Sequence, residues 1–339
     1  MIDHLCRTRA VGKRDYGAGN EIEVAVTLSS YTISNGGIMI RSQIVLLLLV
    51  LAVGCRGGFA GDKTFDQSFT VSSGGTLVVN TDVGSVAIEG TSGSEVVVHA
   101  DMHGRDRELR DFEITASKSG DGVEVRGRSS RGIGSFWRSG NLDVQYTIKV
   151  PREYSLNVNT SGGNIAVKAV KGKIEGETSG GNLELTDLEG SVNLGTSGGE
   201  IVAQNITGDL SAETSGGNIR ISGVRGSVDV STSGGNIALG EIDGKVRAET
   251  SGGDVTVHVQ SNHQGISAET SGGNINITVP PGIGANIDAS TSGGSVTTDL
   301  PITMSGKIDE SRIKGTVNGG GNTIYAHTSG GDIRIKTER

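Results

Sequence analysis

From Thr160 onward, apolar and polar residues alternate in short runs separated by glycine. The stretch starting at Thr214 reads TSGGNIRISGVRGSVDVS, with Ile219, Ile221, Val224, Val228 and Val230 apolar and Arg220, Ser222, Arg225 and Asp229 between them. A period of two predicts strands with one buried face. The pattern recurs: Thr-Ser-Gly-Gly begins at Thr160, Thr178, Thr196, Thr214, Thr232, Thr250, Thr270, Thr291 and Thr328. The first five intervals are 18 residues and the next two are 20 and 21. The 37 residues from Thr291 to Thr328 equal about two periods, with Gly319-Gly320-Gly321-Asn322 as a degenerate copy between them.

One such unit cannot bury its own apolar face, whereas stacked units can. The expected fold is all-β, a parallel β-solenoid of ~18-residue coils, right-handed by the crossover rule. Each coil is two strands of about half a period each. The corners are a glycine pair (Gly216, Gly217) and a single glycine (Gly226), where positive φ is expected without steric cost and where a side chain at Gly217 is expected to collide with the stacked coils. Stacking predicts an Asn column (Asn164, Asn182, Asn218, Asn236, Asn274) interrupted by Glu200, Asp254 and Ser295. Alternation turns the Thr column toward the corner interior, which argues against a flat ice-binding array.

Residues 61–159 are less regular and are expected to form an N-terminal β cap, with 160–339 as the solenoid. Strands are predicted at Phe69–Val71, Thr76–Asn80, Ser85–Ile88, Glu95–Met102, Ile114–Ser117, Val123–Arg126 and Asn141–Val150, with a helical turn at Asp106–Phe112. The lipoprotein-like start at Ala52-Val53-Gly54-Cys55, the strand from Leu142 to Pro151, the iterated Thr-Ser-Gly-Gly-Asn-Ile units and the closing Asn318-Gly-Gly-Gly resemble the bacterial β-strand-repeat family of unknown function labelled "putative adhesin". The resemblance covers 65–339. It implies a surface or periplasmic location and adhesion, and supplies no catalytic residues.

The run Ile44–Val53 (IVLLLLVLAV) is too short to span a bilayer and suits a signal-peptide core. It follows Met39 and Arg41 and leads into Ala52-Val53-Gly54-Cys55, so 39–60 reads as a signal peptide with Cys55 as the lipid-bearing residue. Cleavage after Ala60 is the alternative. A signal so placed implies translation from Met39, with 1–38 as an upstream extension. The product is an exported lipoprotein at the periplasm or cell surface, or a secreted protein on the alternative.

Composition narrows the function. Aromatics are 3% of the chain, so the core must be thin and aliphatic. The net charge of −8 disfavours nucleic acid, and two cysteines exclude a disulfide scaffold. The iterated Ser of the repeat, first Ser161, is a structural turn residue in nine copies. His99, Asp101 and His103 share one strand face, read as a solvated surface and not as a metal site. His258 and His263 fall where the 18-residue period first breaks, in a loop insertion. Glu177, Glu213, Glu249 and Glu269 share a column, read as surface charge and not as a catalytic dyad. Turns carrying Asn in place of Asp exclude the calcium repeat. The reading is non-enzymatic, without cofactor or metal: an envelope binding or scaffolding module. The competing readings are a polysaccharide-acting enzyme and a structural spacer.

The stretch Arg126–Gly140 is expected to be a surface loop, and it holds four arginines and both members of an aromatic pair, with no acidic residue. Arg126, Arg128, Arg131, Phe136, Trp137 and Arg138 are therefore the candidate contact residues for an anionic lipid or glycan. The membrane is a partner if Cys55 is lipidated.

Overall fold

The computed structural model describes residues 60–130, 142–260, 263–304 and 309–338. They belong to one compact unit, Arg56–Arg339. The chain runs β1 (Ala60–Thr70), β2 (Thr76–Thr81), β3 (Ser85–Thr91), β4 (Glu95–Arg105), α1 (Asp106–Asp111), β5 (Phe112–Ser119), β6 (Gly122–Ser129), β7 (Asp143–Pro151), β8 (Ser155–Thr160) and β9 (Ile165–Lys168). The regular coils follow as β10 (Ile174–Thr178), β11 (Leu183–Glu189), β12 (Val192–Thr196), β13 (Ile201–Thr207), β14 (Leu210–Thr214), β15 (Ile219–Arg225), β16 (Val228–Thr232), β17 (Ile237–Asp243), β18 (Val246–Thr250), β19 (Val255–Val259), β20 (Ile266–Thr270) and β21 (Ile275–Val279). The chain closes with β22 (Ala285–Thr291), β23 (Val296–Thr298), β24 (Ile302–Met304), β25 (Arg312–Val317), β26 (Asn322–Thr328) and β27 (Ile333–Thr337).

The fold is the expected parallel β-solenoid. From β8 to β21, even strands fill one sheet and odd strands the other. Neighbours are parallel and offset by one repeat, as in Ile219↔Ile237 and Val228↔Val246. Inward positions of both sheets are buried aliphatic residues. The core stays thin because the central inward position of the even sheet is often small, as at Ala212, Ala248, Ala268 and Ala326. Fully buried aromatic rings, Phe112, Tyr146 and Tyr154, occur at the N-terminal end, where the coils are least regular.

Stacking order departs from chain order at both ends. In the two sheets β6 and β7 form one level, β2 and β3 the next, then β8 and β9. The β2–β3 level thus lies between two levels that follow it in sequence. At the other end β26 and β27 lie between β20/β21 and β22/β23. The described residues of 299–321 are not the degenerate coil expected from spacing. They carry β24 and β25, which pair antiparallel with each other, and β25 also caps β22. Gly321 stacks on Gly284 as a single-glycine corner: a Cβ on it would meet the Gly284 carbonyl oxygen at 2.3 Å.

The stack runs without a break through residue 160, since β3 pairs with β9 and β2 with β8. The strands beyond the first level are β4 and β1 in one sheet and β5 in the other. The predicted helical turn is α1, which joins β4 to β5 and buries Leu109 over this end.

The two corners need glycine for different reasons. At the Gly-Gly corner the second glycine does not adopt positive φ, contrary to expectation. A Cβ on Gly217 would instead fall 1.8 Å from the Gly199 carbonyl oxygen. At the single-glycine corner both reasons hold: Gly226 has φ +152° and a Cβ there would lie 2.2 Å from the Gly208 carbonyl oxygen.

The Thr column is buried, as alternation required. Thr160 donates to the Gly84 carbonyl, and from Thr178 on the hydroxyl donates to the second glycine carbonyl of the preceding level, as Thr196 does to Gly181 (3.0 Å). It also accepts from its own second glycine amide. The Asn column satisfies the corner amides. Oδ1 of one level accepts the backbone amide of the next, from Asn182 to Asn164 (2.8 Å) and from Asp254 to Asn236 (2.8 Å). Aspartate serves equally, as Asp254 accepts from the Asn274 amide (2.7 Å).

Candidate partner-binding surface

Arg126 and Arg128 lie not on a loop, as expected, but on β6, held in strand conformation by pairing with β5 on one side and β2 on the other. Gly127 between them faces inward, so both arginines project outward. The inward site has no room for a side chain: a Cβ on Gly127 would meet the Tyr146 hydroxyl at 2.1 Å and Thr81 Oγ1 at 2.5 Å. Those two hydroxyls bond each other at 3.0 Å, and Thr81 donates to the Val83 carbonyl at 2.7 Å. Burial pushes the Tyr146 phenol up to about 12.

Neither arginine is a free cation. Arg126 Nε donates to Glu124 Oε1 at 2.6 Å. Arg128 Nη1 donates to Asp82 Oδ1 at 3.0 Å, and the Ser129 amide donates to Asp82 Oδ2 at 3.0 Å. Asp82 is 7% exposed, so Arg128 neutralises a buried carboxylate. The Ser130 amide bonds the Asp111 carbonyl at 2.8 Å. The base of the arginine-rich segment is therefore fixed from three elements. Arg131, Phe136, Trp137 and Arg138 lie outside the described residues, as do Cys55 and the signal segment.

Sequence reading missed Asp82 and the role of Glu124. Glu124 was legible, being two residues from Arg126 on the same strand face. Asp82 was not, because its contact with Arg128 spans 46 residues.

His99, Asp101 and His103 share the outer face of β4, as alternation predicted. His99 uses both ring nitrogens, Nδ1 to Asp66 (2.6 Å) and Nε2 to Asp101 (3.1 Å). His103 Nδ1 pairs with Asp62 at 2.8 Å. Among the described residues no group of three His, Cys, Asp or Glu side chains is arranged to hold a metal ion. His263, placed by sequence in an insertion, is 4% exposed, with its Nδ1 accepting from the Gly265 amide. Burial holds its imidazole below the usual histidine value.

Glu177, Gly195, Glu213, Ser231, Glu249 and Glu269 stack in one outward column. Small residues separate most of the carboxylates, which limits repulsion between directly opposed like charges. Beside them a shallow groove of about 380 Å³ is lined by Ser191, Asn193, Ser211 and Asp229. No described helix is long and apolar enough to cross a membrane.

A family model described as Toastrack DUF4097 matches residues 75–336, most of the chain and nearly all of the stack. The chain belongs to the Toastrack family. Solved structures similar to this Toastrack chain include a "putative adhesin" of Bacteroides fragilis, at 14% identity and TM-score 0.40, with 81% of this chain and 97% of that one covered. A "putative lipid binding protein" of Parabacteroides distasonis is 16% identical with TM-score 0.42 and the same coverages. A "putative cell adhesion protein" of Clostridium sporogenes is 17% identical with TM-score 0.20, covering 81% of this chain and 100% of that one. No curated protein matches the chain.

Proposed function

We propose that this Toastrack chain is an exported, lipid-anchored and non-catalytic module that binds or scaffolds at the cell envelope. The observation that carries the reading is how its polar groups are spent. The repeated Thr hydroxyls and Asn/Asp side chains bind backbone of neighbouring levels, so they build a stack and not a reaction centre. What varies from level to level is the outward face, where a partner would be met.

Cys55 is the proposed site of lipidation. The proposed contact is the Arg126–Gly140 segment with an anionic lipid headgroup or acidic glycan. Arg131, Phe136, Trp137 and Arg138 are its contact residues, with Arg126 adding charge at the base. Arg128 sits in the same segment but serves Asp82, so it belongs to the scaffold of that site.

The test is co-sedimentation with anionic vesicles and with acidic glycan. R131S/R138S should lose binding and keep its melting temperature. Binding by the parent should weaken with salt, because screening shortens the reach of exposed charges to about 8 Å at physiological ionic strength. Undiminished binding by the variant overturns the contact assignment. Separately, C55S should leave the exported protein in the aqueous phase, and continued membrane partitioning would overturn the lipid anchor.

A further inference from the structure

Strand β1 joins the solenoid to everything upstream of Ala60, and it is an edge strand with β4 as its sheet neighbour. Its apolar hold is slight. Phe65 and Phe69 are only partly buried, while Lys63 and Gln67 are exposed. On the outer face, among the described residues, its side-chain ties are to histidines of β4, in directly paired register: Asp62 with His103 and Asp66 with His99.

We propose that this seam is a pH-sensitive latch: with His99 and His103 protonated, two ion pairs hold Ala60–Asp66 against β4, and with both neutral β1 frays from its N-terminal end. The charges around the seam favour this. On the outer face β1 contributes Asp62 and Asp66, β4 contributes Glu95, Asp101 and Arg105, and β7 contributes Asp143 and Lys149. Asp143 stands across from His103, opposite Asp62. Four aspartates thus surround two imidazoles, and neutral imidazoles leave those carboxylates uncompensated. On the other face α1 places Asp106 and Leu109 beside Gly61, with Arg107 and Arg110 exposed.

The bond to Asp66, then that to Asp101, raises His99 above its ordinary value, and the bond to Asp62 raises His103. A raised value means that the pairs contribute fully below about 6.5 and are lost as pH rises through the raised values. Fraying of seven residues would release roughly 23 Å of extended chain.

Hydrogen exchange of the full chain at about pH 5.5 and about pH 8 tests the latch. Rates are corrected for intrinsic exchange and referenced to the β11–β13 ladder. Protection of the first half of β1 should fall about fivefold at the higher pH, the scale expected of two exposed ion pairs. H99Q/H103Q and, independently, D62N/D66N should abolish that pH dependence while β11–β13 stays protected. Protection of β1 that does not change with pH, or a fall that persists in both variants, overturns the proposal.

Discussion

Thr214 Oγ1 donates to the Gly199 carbonyl of the preceding level at 3.0 Å. The same oxygen accepts the Gly217 amide at 3.2 Å, so one hydroxyl satisfies a backbone group in each of two levels. Thr214→Val keeps the shape and removes both bonds. It should cost about 1–3 kcal/mol, the penalty for stranding buried backbone groups, while Thr214→Ser should cost less. Urea midpoints at constant m-value would measure both.

The two glycines of one corner should respond in opposite ways. A Cβ on Gly198 meets nothing within 4 Å, whereas one on Gly199 falls 1.8 Å from the Gly181 carbonyl oxygen. Gly198→Ala should change stability by less than about 0.5 kcal/mol, and Gly199→Ala should cost about 3 kcal/mol or more. Thermal melts of the pair decide it, and similar shifts would contradict the geometry.

Ala169, Asp187, Asn205, Gly223 and Glu241 occupy one column of left-handed backbone, with φ between +56° and +67°. Left-handed backbone costs a non-glycine residue about 1–2 kcal/mol. Glu241→Gly should therefore stabilise the chain by about 0.5–1 kcal/mol after the added freedom of the unfolded glycine is offset. A lower melting temperature would refute this.

Asp82→Ala should act on stability and on the binding segment together. It removes the carboxylate that Arg128 and the Ser129 amide bond, at a cost of about 1–3 kcal/mol. Exchange at the Ser129 amide should rise by more than exchange at Val125 amide, which stays in the ladder. Equal effects at both would mean that Asp82 does not fix the segment's base.

The buried His263 and the exposed His99 and His103 should have opposite signs in acid. His263 is held below its unfolded value near 6.5, so the unfolded chain binds its proton more readily. Stability from this group is present above pH 6.5 and is lost as pH falls below it. His263→Gln should narrow the melting-temperature difference between neutral and mildly acidic buffer. A wider difference would show that His263 is charged in the fold.

What could be read from sequence followed from whether the contact was periodic. The strand pairs, the buried Thr column and the glycine corners recur at a fixed spacing, so composition along one repeat implied them. Of the two reasons expected for Gly217, collision between stacked coils holds and positive φ does not, since close approach of two backbones leaves the same mark on a sequence as positive φ. Asp82 lies in the bend after β2 and Asp66 on the non-repeating β1, so no spacing pointed to either as the partner of Arg128 or His99. The order of levels was also illegible: Thr328 stacks directly on both Thr270 and Thr291, and all three sit in identical Thr-Ser-Gly-Gly units.

That order bears on how the molecule is made. A chain emerging from its N-terminus can zip the levels from β8 to β21 one after another as each arrives. Zipping then halts, because the slot on β20 and β21 belongs to residues not yet emerged, and the β22–β23 level has no floor until they come. Loss of the last 18 residues would therefore remove two levels of the stack and not one, and its cost would exceed that of losing one terminal level from a simple repeat protein. The wait for β26 and β27 leaves strand edges open late in assembly, when such edges can capture a neighbouring chain. A protein built of near-identical steps is thereby completed by a final step of a different kind, a keystone set after the course above it.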